Sequence, residues 1–200
     1  MVKTFYVCSY GGCGSTMLCD SLKKYGKTVH IHSPKPPDNL EYVGKQNGGN
    51  TYEEWFNGIV VPDNEIENYY VIYIYRNPSF CIPSRFTNKY GYKTHKHHLK
   101  HIKIDTRITL DHVLSSGKDL YKIREFYDNY MKVNKNRNYK IYCIKYEDIF
   151  DKQDELSKLL GIGELNLVNK SSRKNSNKEL DNIYTDLIEE MEKNEFITIR

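Results

Sequence analysis

At 200 residues the chain is long enough to bury a real core, and residues 1–200 are read as a single domain with no second unit. A hydrophobic fraction of 38% and a charged fraction of 28% are those of a soluble globular protein, and a net charge of +4 favours anionic ligands without demanding nucleic acid. The longest apolar run, residues 69–75, is far too short to cross a bilayer, which predicts a soluble, intracellular (cytoplasmic) chain with no membrane partner.

The chain opens on Phe5-Tyr6-Val7-Cys8, which breaks into three glycines within four residues before Ser15-Thr16 begin a stretch with helical spacing at Leu18, Leu22 and Tyr25. This reads as strand, tight loop, helix. Glycines allow the backbone to turn sharply and aim several N–H groups at one point, and the helix start adds the positive end of its dipole, so the corner suits an anion. It is not a nucleoside-triphosphatase loop, because no lysine follows Gly14.

Residues 28–32 read as a second strand, stopped by Ser33-Pro34. Residues 38–50 read as a polar loop, and Thr51 with Glu54 as a capping box for a short helix through Gly58. Residues 69–75 are apolar on both faces, as a central parallel strand should be, and end in Arg76-Asn77-Pro78, where Pro78 starts a helix continued by Ile82 and Phe86. An amphipathic helix is expected over 118–134, a strand over 139–144 and a helix over 151–160 closed by Gly161. The last helix is expected from Ser176, with Glu179 as its box partner.

Strands alternating with helices predict an α/β fold, a three-layer α/β/α sandwich around a central parallel sheet. Ligands of such sheets sit at the carboxyl ends of the strands, so the exits near Gly11, Arg76 and Tyr146 should face one cleft. Five scattered cysteines suit reduced thiols, with Cys8, Cys19, Cys81 and Cys143 in the core.

Three motifs, in order, carry a family resemblance. Ser9-Tyr10-Gly11-Gly12-Cys13-Gly14-Ser15-Thr16 resembles the 5′-phosphosulfate loop of sulfotransferases, and Arg76-Asn77-Pro78 with Ser84 eight residues after the arginine resembles their 3′-phosphate motif. Tyr146-Glu147-Asp148 is similar to their Tyr-Glu-Asp at a later strand exit. The resemblance implies a sulfotransferase fold of the P-loop-like type and transfer of a sulfuryl group from 3′-phosphoadenosine 5′-phosphosulfate (PAPS) to a hydroxyl acceptor such as a sugar, a small alcohol or phenol, or tyrosine. The product nucleotide would be adenosine 3′,5′-bisphosphate (PAP), and no metal is needed.

On that resemblance the nucleotide site comprises Gly11, Gly12, Cys13, Gly14, Ser15, Thr16, Arg76, Ser84 and Tyr146, with Arg173 and Lys174 as closing contacts from a late basic segment. Arg76 brings a planar fork of donors that suits a phosphate. His32, in His32-Ser33-Pro34, resembles the family's catalytic histidine and is the expected base, with His30 as alternate.

The sequence departs from the family at Gly12, where a lysine or arginine usually contacts the bridging oxygen, and at Met17, where tryptophan is usual. Three readings of Gly12 stay open: another cation (Lys35, Arg173 or Lys174) substitutes, the extra glycine makes a fuller nest of N–H groups, or the protein binds nucleotide with little turnover. The basic stretch 89–103, with His95, His97, His98 and His101 among lysines, reads as a solvated loop. Its functional versions are an acceptor surface or, with Tyr90 and Tyr92, a nucleic-acid patch.

Overall fold

The computed structural model describes residues 2–44, 54–86, 91–169 and 176–200. Strands β1 (Lys3–Cys8), β2 (Gly26–Ile31), β5 (Tyr69–Tyr75), β6 (Ile141–Lys145) and β7 (Ile197–Ile199) form one sheet in the order β2-β1-β5-β6-β7. The first four are parallel, and β7 closes the edge antiparallel to β6. The expected parallel sheet is therefore mostly parallel, with an antiparallel edge strand. A hairpin of β3 (Glu41–Gly44) and β4 (Glu54–Val60) stands apart from it.

Helices flank the sheet: α1 (Ser15–Leu22), α2 (Pro78–Phe86), α3 (Gly91–His101), α4 (Leu110–Ser116), α5 (Ile123–Met131), α6 (Gln153–Leu160), α7 (Lys178–Ile183) and α8 (Thr185–Lys193). The central strand β5 is buried from Val71 to Tyr75, which explains its apolar character on both faces. On one face Tyr73 stacks on Tyr130 of α5 at 4.4 Å. On the other Phe5 stacks on Tyr70, and Lys3 donates to the carbonyls of Leu160 and Gly161 behind α6. All five cysteines are buried and unpaired, Cys8, Cys19, Cys81 and Cys143 among them as expected. Among the described residues, no helix is long and apolar enough to cross a membrane.

Several expectations need correction. Residues 54–60 form β4 rather than a helix, since Glu41 and Val43 offer antiparallel partners in Val60 and Trp55; Thr51 lies outside the described residues. Part of the expected loop 38–50 is the partner strand β3. The helix expected from 118 starts at Ile123, because Lys122 is left-handed (φ 52°) and the Asp119 carboxylate accepts from the N–H groups of Ile123 and Arg124. The last helix is two, broken at Tyr184. Its cap is Asn177, whose side chain accepts from the Leu180 N–H, while the Ser176 hydroxyl turns to Asp181. The solvated loop expected over 89–103 contains α3.

Candidate functional site

The three polar strand exits converge. The glycine loop follows β1, Arg76 follows β5 and Tyr146 follows β6, and parallel pairing brings all three to one sheet edge. Arg76 is buried, donates from Nη1 to the Gly12 carbonyl at 3.3 Å, and stacks its guanidinium 4.3 Å from the centre of the Tyr146 ring. Glu147 ties the same two exits by accepting from the Asn77 N–H at 3.0 Å. Asn77 caps α2, its side chain accepting from the Ser79 N–H, with Pro78 in the first helical position as its fixed φ favours. Ser84 lies half-buried in α2 and makes no side-chain hydrogen bond to a described residue.

Gly11, Gly12 and Gly14 hold φ values of 114°, 73° and 81°, and Gly14 is the left-handed cap of α1. Each is also pressed by a neighbour. A Cβ on Gly12 would stand 2.6 Å from the Cys81 carbonyl oxygen in α2, and one on Gly14 would stand 2.5 Å from the Tyr146 ring. A side chain at 12 would thus need both a strained backbone and a shift of α2. Gly12 is built into the packing against α2. Cys13 turns inward, its thiol donating to the Gly11 carbonyl, while Ser15 is buried and Thr16 exposed.

Behind the loop lies a histidine cluster. His32 is 3% exposed and donates from Nδ1 to the Ser9 carbonyl at 2.6 Å; a carbonyl can only accept, so in the neutral ring Nε2 carries the lone pair. The Ser9 hydroxyl donates to Ser15 Oγ at 2.8 Å, and Ser15 Oγ meets His30 Nε2 at 2.7 Å. His30 in β2 and His32, one residue past its end, fall on one side, rings 4.5 Å apart. Burial, followed by the Arg85 charge, lowers His30 from 6.5 to about 4; burial and then His30 hold His32 well below its ordinary value. Both rings are neutral at pH 7.

The member that sequence reading missed is His98. It is 1% exposed, its ring lies 5.4 Å from that of His32, and its edge abuts the Gly11 backbone, where an added Cβ would stand 2.6 Å from Cε1. Neither ring nitrogen has a hydrogen-bond partner among the described residues. The signal was in the sequence: His95, His98 and Leu99 follow helical spacing on the inward side of α3, with buried Ile102 just past its end and the lysines around them obscuring it. His97 and His101 do meet, Nε2 to Nε2 at 3.0 Å, but among the described residues no three metal-binding side chains gather.

Arg173 and Lys174 lie outside the described residues, as does Tyr90. Lys35 is exposed. A cleft of about 890 Å³ opens beside Asn77 and Phe80, where Asp181, Glu189 and Glu192 outnumber Lys178, a balance that disfavours phosphate. A smaller cavity of about 240 Å³ adjoins Tyr10 and Pro34. Comparisons with family models, with curated proteins and with solved structures returned no match for this chain.

Proposed function

We propose that this protein transfers a sulfuryl group from PAPS to a hydroxyl acceptor, on a sulfotransferase fold of the P-loop-like type. The observation that carries the reading is the contact of Arg76 with both the Gly12 carbonyl and the Tyr146 ring, which joins the three resembling motifs at one place. A donor with two anionic ends needs two sets of donors, and the loop and Arg76 are the two this corner supplies. The loop and the start of α1 offer N–H groups and a dipole to the 5′ end. Arg76 offers its fork to the 3′-phosphate, with Ser84 as a second donor and Arg173 and Lys174 as further contacts.

In the reaction a bond forms between the acceptor oxygen and sulfur while the bond from sulfur to the 5′-phosphate oxygen breaks. PAP departs with that electron pair, and the acceptor's proton passes to Nε2 of His32. Catalysis of this kind is mostly positioning and charge stabilisation. His32 suits the base because its Nδ1–H is committed to Ser9. The test is calorimetric titration with PAP, with ATP and ADP as controls, on wild type and Arg76→Ala. The reading expects micromolar binding that needs the 3′-phosphate and is lost in the variant. Equal binding of ATP, or none of PAP, would sink it.

One observation favours a second reading, a nucleotide-binding module of the same fold with little turnover. Gly12 has no room for the family's lysine, and removal of one such donor costs about 10²–10³ in rate. That reading expects the same PAP affinity with no transfer to any acceptor. The nucleic-acid alternative is weakened because α3 turns His98, Leu99 and His101 into the core.

A further inference from the structure

The cavity of about 240 Å³ is built for a different kind of ligand from the anion loop. Tyr10, Pro34, Ile102, Ile104 and Phe126 make its apolar wall, and Lys103, Lys122, Glu125 and Asn129 supply the polar part of the lining. The Tyr10 hydroxyl donates to the Tyr121 carbonyl at 2.9 Å, and the Pro34 carbonyl accepts from Asn129 at 3.0 Å. An apolar cavity of about 150 Å³ takes one benzene, so this one has room for a ring with a short tail.

Its mouth is charged and conformationally unusual. Lys103 and Lys122 both line it, and they are two of the three non-glycine residues at positive φ among the described residues, at 57° and 52°. Backbone held in that region clusters at ligand-binding sites. Lys122 pairs with Glu125 at 3.2 Å, whereas Lys103 has no carboxylate partner among the described residues. An exposed ammonium at the rim of a cavity walled by the Tyr10 and Phe126 rings selects an anionic tail. The wall is shared with the histidine cluster, since the Tyr10 ring lies 5.7 Å from that of His98, and Pro34 follows His32 by two residues.

We infer that this cavity binds a small aromatic carboxylate, its ring against Tyr10 and Phe126 and its carboxylate on Lys103. Calling that molecule the acceptor rests on the sulfotransferase reading; its binding does not. The experiment titrates the full chain, without nucleotide, with 4-hydroxyphenylacetate, with the cationic analogue tyramine and with neutral phenol, following heat and thermal shift. The acid should bind at least tenfold tighter than tyramine, and Lys103→Glu should erase or reverse that order. Lys103→Gln should weaken the acid while leaving phenol unchanged, which separates lost charge from lost folding. No binding of the acid, or an order unmoved by Lys103→Glu, overturns the inference. Acid bound without transfer on adding PAPS keeps the cavity and strikes the acid as acceptor. Transfer to a neutral alcohol, indifferent to both variants, keeps the transferase and strikes the cavity as its acceptor site.

Discussion

The guanidinium of Arg76 lies over the Tyr146 ring, 4.3 Å from its centre, across two neighbouring strand exits. Phe80 of α2 lies 5.5 Å away on the same guanidinium, so aromatic carbon and a loop carbonyl fix a charge that would otherwise swing into solvent. A cation held over aromatic faces gains about 0.5–2 kcal/mol and, more to the point, a defined orientation.

From this follows a graded series at one corner. Tyr146→Leu keeps the arginine and loses the stack, so PAP affinity should fall about three- to tenfold. Arg76→Lys keeps the charge and loses the planar fork, and should fall further. Titration calorimetry ranks the two, with circular dichroism to check folding. If Tyr146→Leu binds PAP as wild type does, the stacked arrangement has no part in nucleotide binding.

Gly12→Lys restores the family residue on paper, yet it should not restore a working cation. The substitution puts a side chain on a left-handed residue and drives its Cβ toward the Cys81 carbonyl, so it should destabilise the fold by about 2–3 kcal/mol. Gly117 gives the control, having φ of 62° and nothing within 4 Å of an added Cβ. Gly117→Ala should cost about 1 kcal/mol, the backbone part alone. Urea unfolding of Gly12→Ala beside Gly117→Ala isolates the contact with α2. Equal costs would mean that α2 yields freely and that a lysine at 12 fits after all.

The parts legible in sequence were those with local physics. The exit Arg76-Asn77-Pro78 announced its own helix through a proline at the first position, and Gly161 marked the end of α6 by its left-handed cap at φ 57°. Residues 54–60 misled because Thr51 and Glu54 mimic a capping box, whereas the state is decided by pairing with β3, a non-local partner. The α7–α8 break was hidden because Leu180, Ile183, Tyr184, Leu187, Ile188 and Met191 keep one apolar stripe across it. β7 is three residues long, too short for any period to register. At the site, the loop and Arg76 could be read because glycine and Arg-Asn-Pro carry local meaning. His98 reaches the loop only through the fold of α3, and the lysines beside it argued for solvent.

The buried histidines make stability depend on pH, and the sign is fixed. In the unfolded chain His30 takes a proton near 6.5; folded, it resists until about 4, and His32 and His98 are lowered in the same direction. Between those values the unfolded state binds more protons, so stability is full above 6.5 and is lost as pH falls toward 4. His30 alone accounts for roughly 3 kcal/mol at about 1.4 kcal/mol per pH unit. Arg85 and His101 add repulsion, while Asp20 opposes it at His30. Urea midpoints at pH 7.5, 6 and 5 should drop steadily. His98→Leu should flatten the slope and cost nothing at pH 7.5, because it removes an imidazole whose nitrogens lack partners. A slope unchanged in His98→Leu would place that imidazole's titration outside the folding equilibrium.

His32 is the sharpest test of the chemistry, because its burial cuts both ways. Neutrality at every pH above 6.5 means the base is always ready, so the transfer rate should be flat from pH 8 down to 6.5 instead of showing the fall of an ordinary histidine. The same depressed pKa makes it a weak base, which caps its share of the rate, since general-base catalysis contributes about 10²–10⁴-fold when pKa and pH are matched. His32→Gln should therefore lower turnover by about 10²-fold while leaving PAP affinity within about threefold of wild type, the lower end of that catalytic range. His30→Gln separates neighbour from base: its ring meets Ser15 Oγ, so the loss should fall on donor binding through the loop rather than on turnover. Rate measurements at saturating and limiting PAPS on the two variants decide the assignment. If His30→Gln takes the turnover loss and His32→Gln the binding loss, the roles are exchanged and the chain from Ser9 through Ser15 to His30 is the proton path.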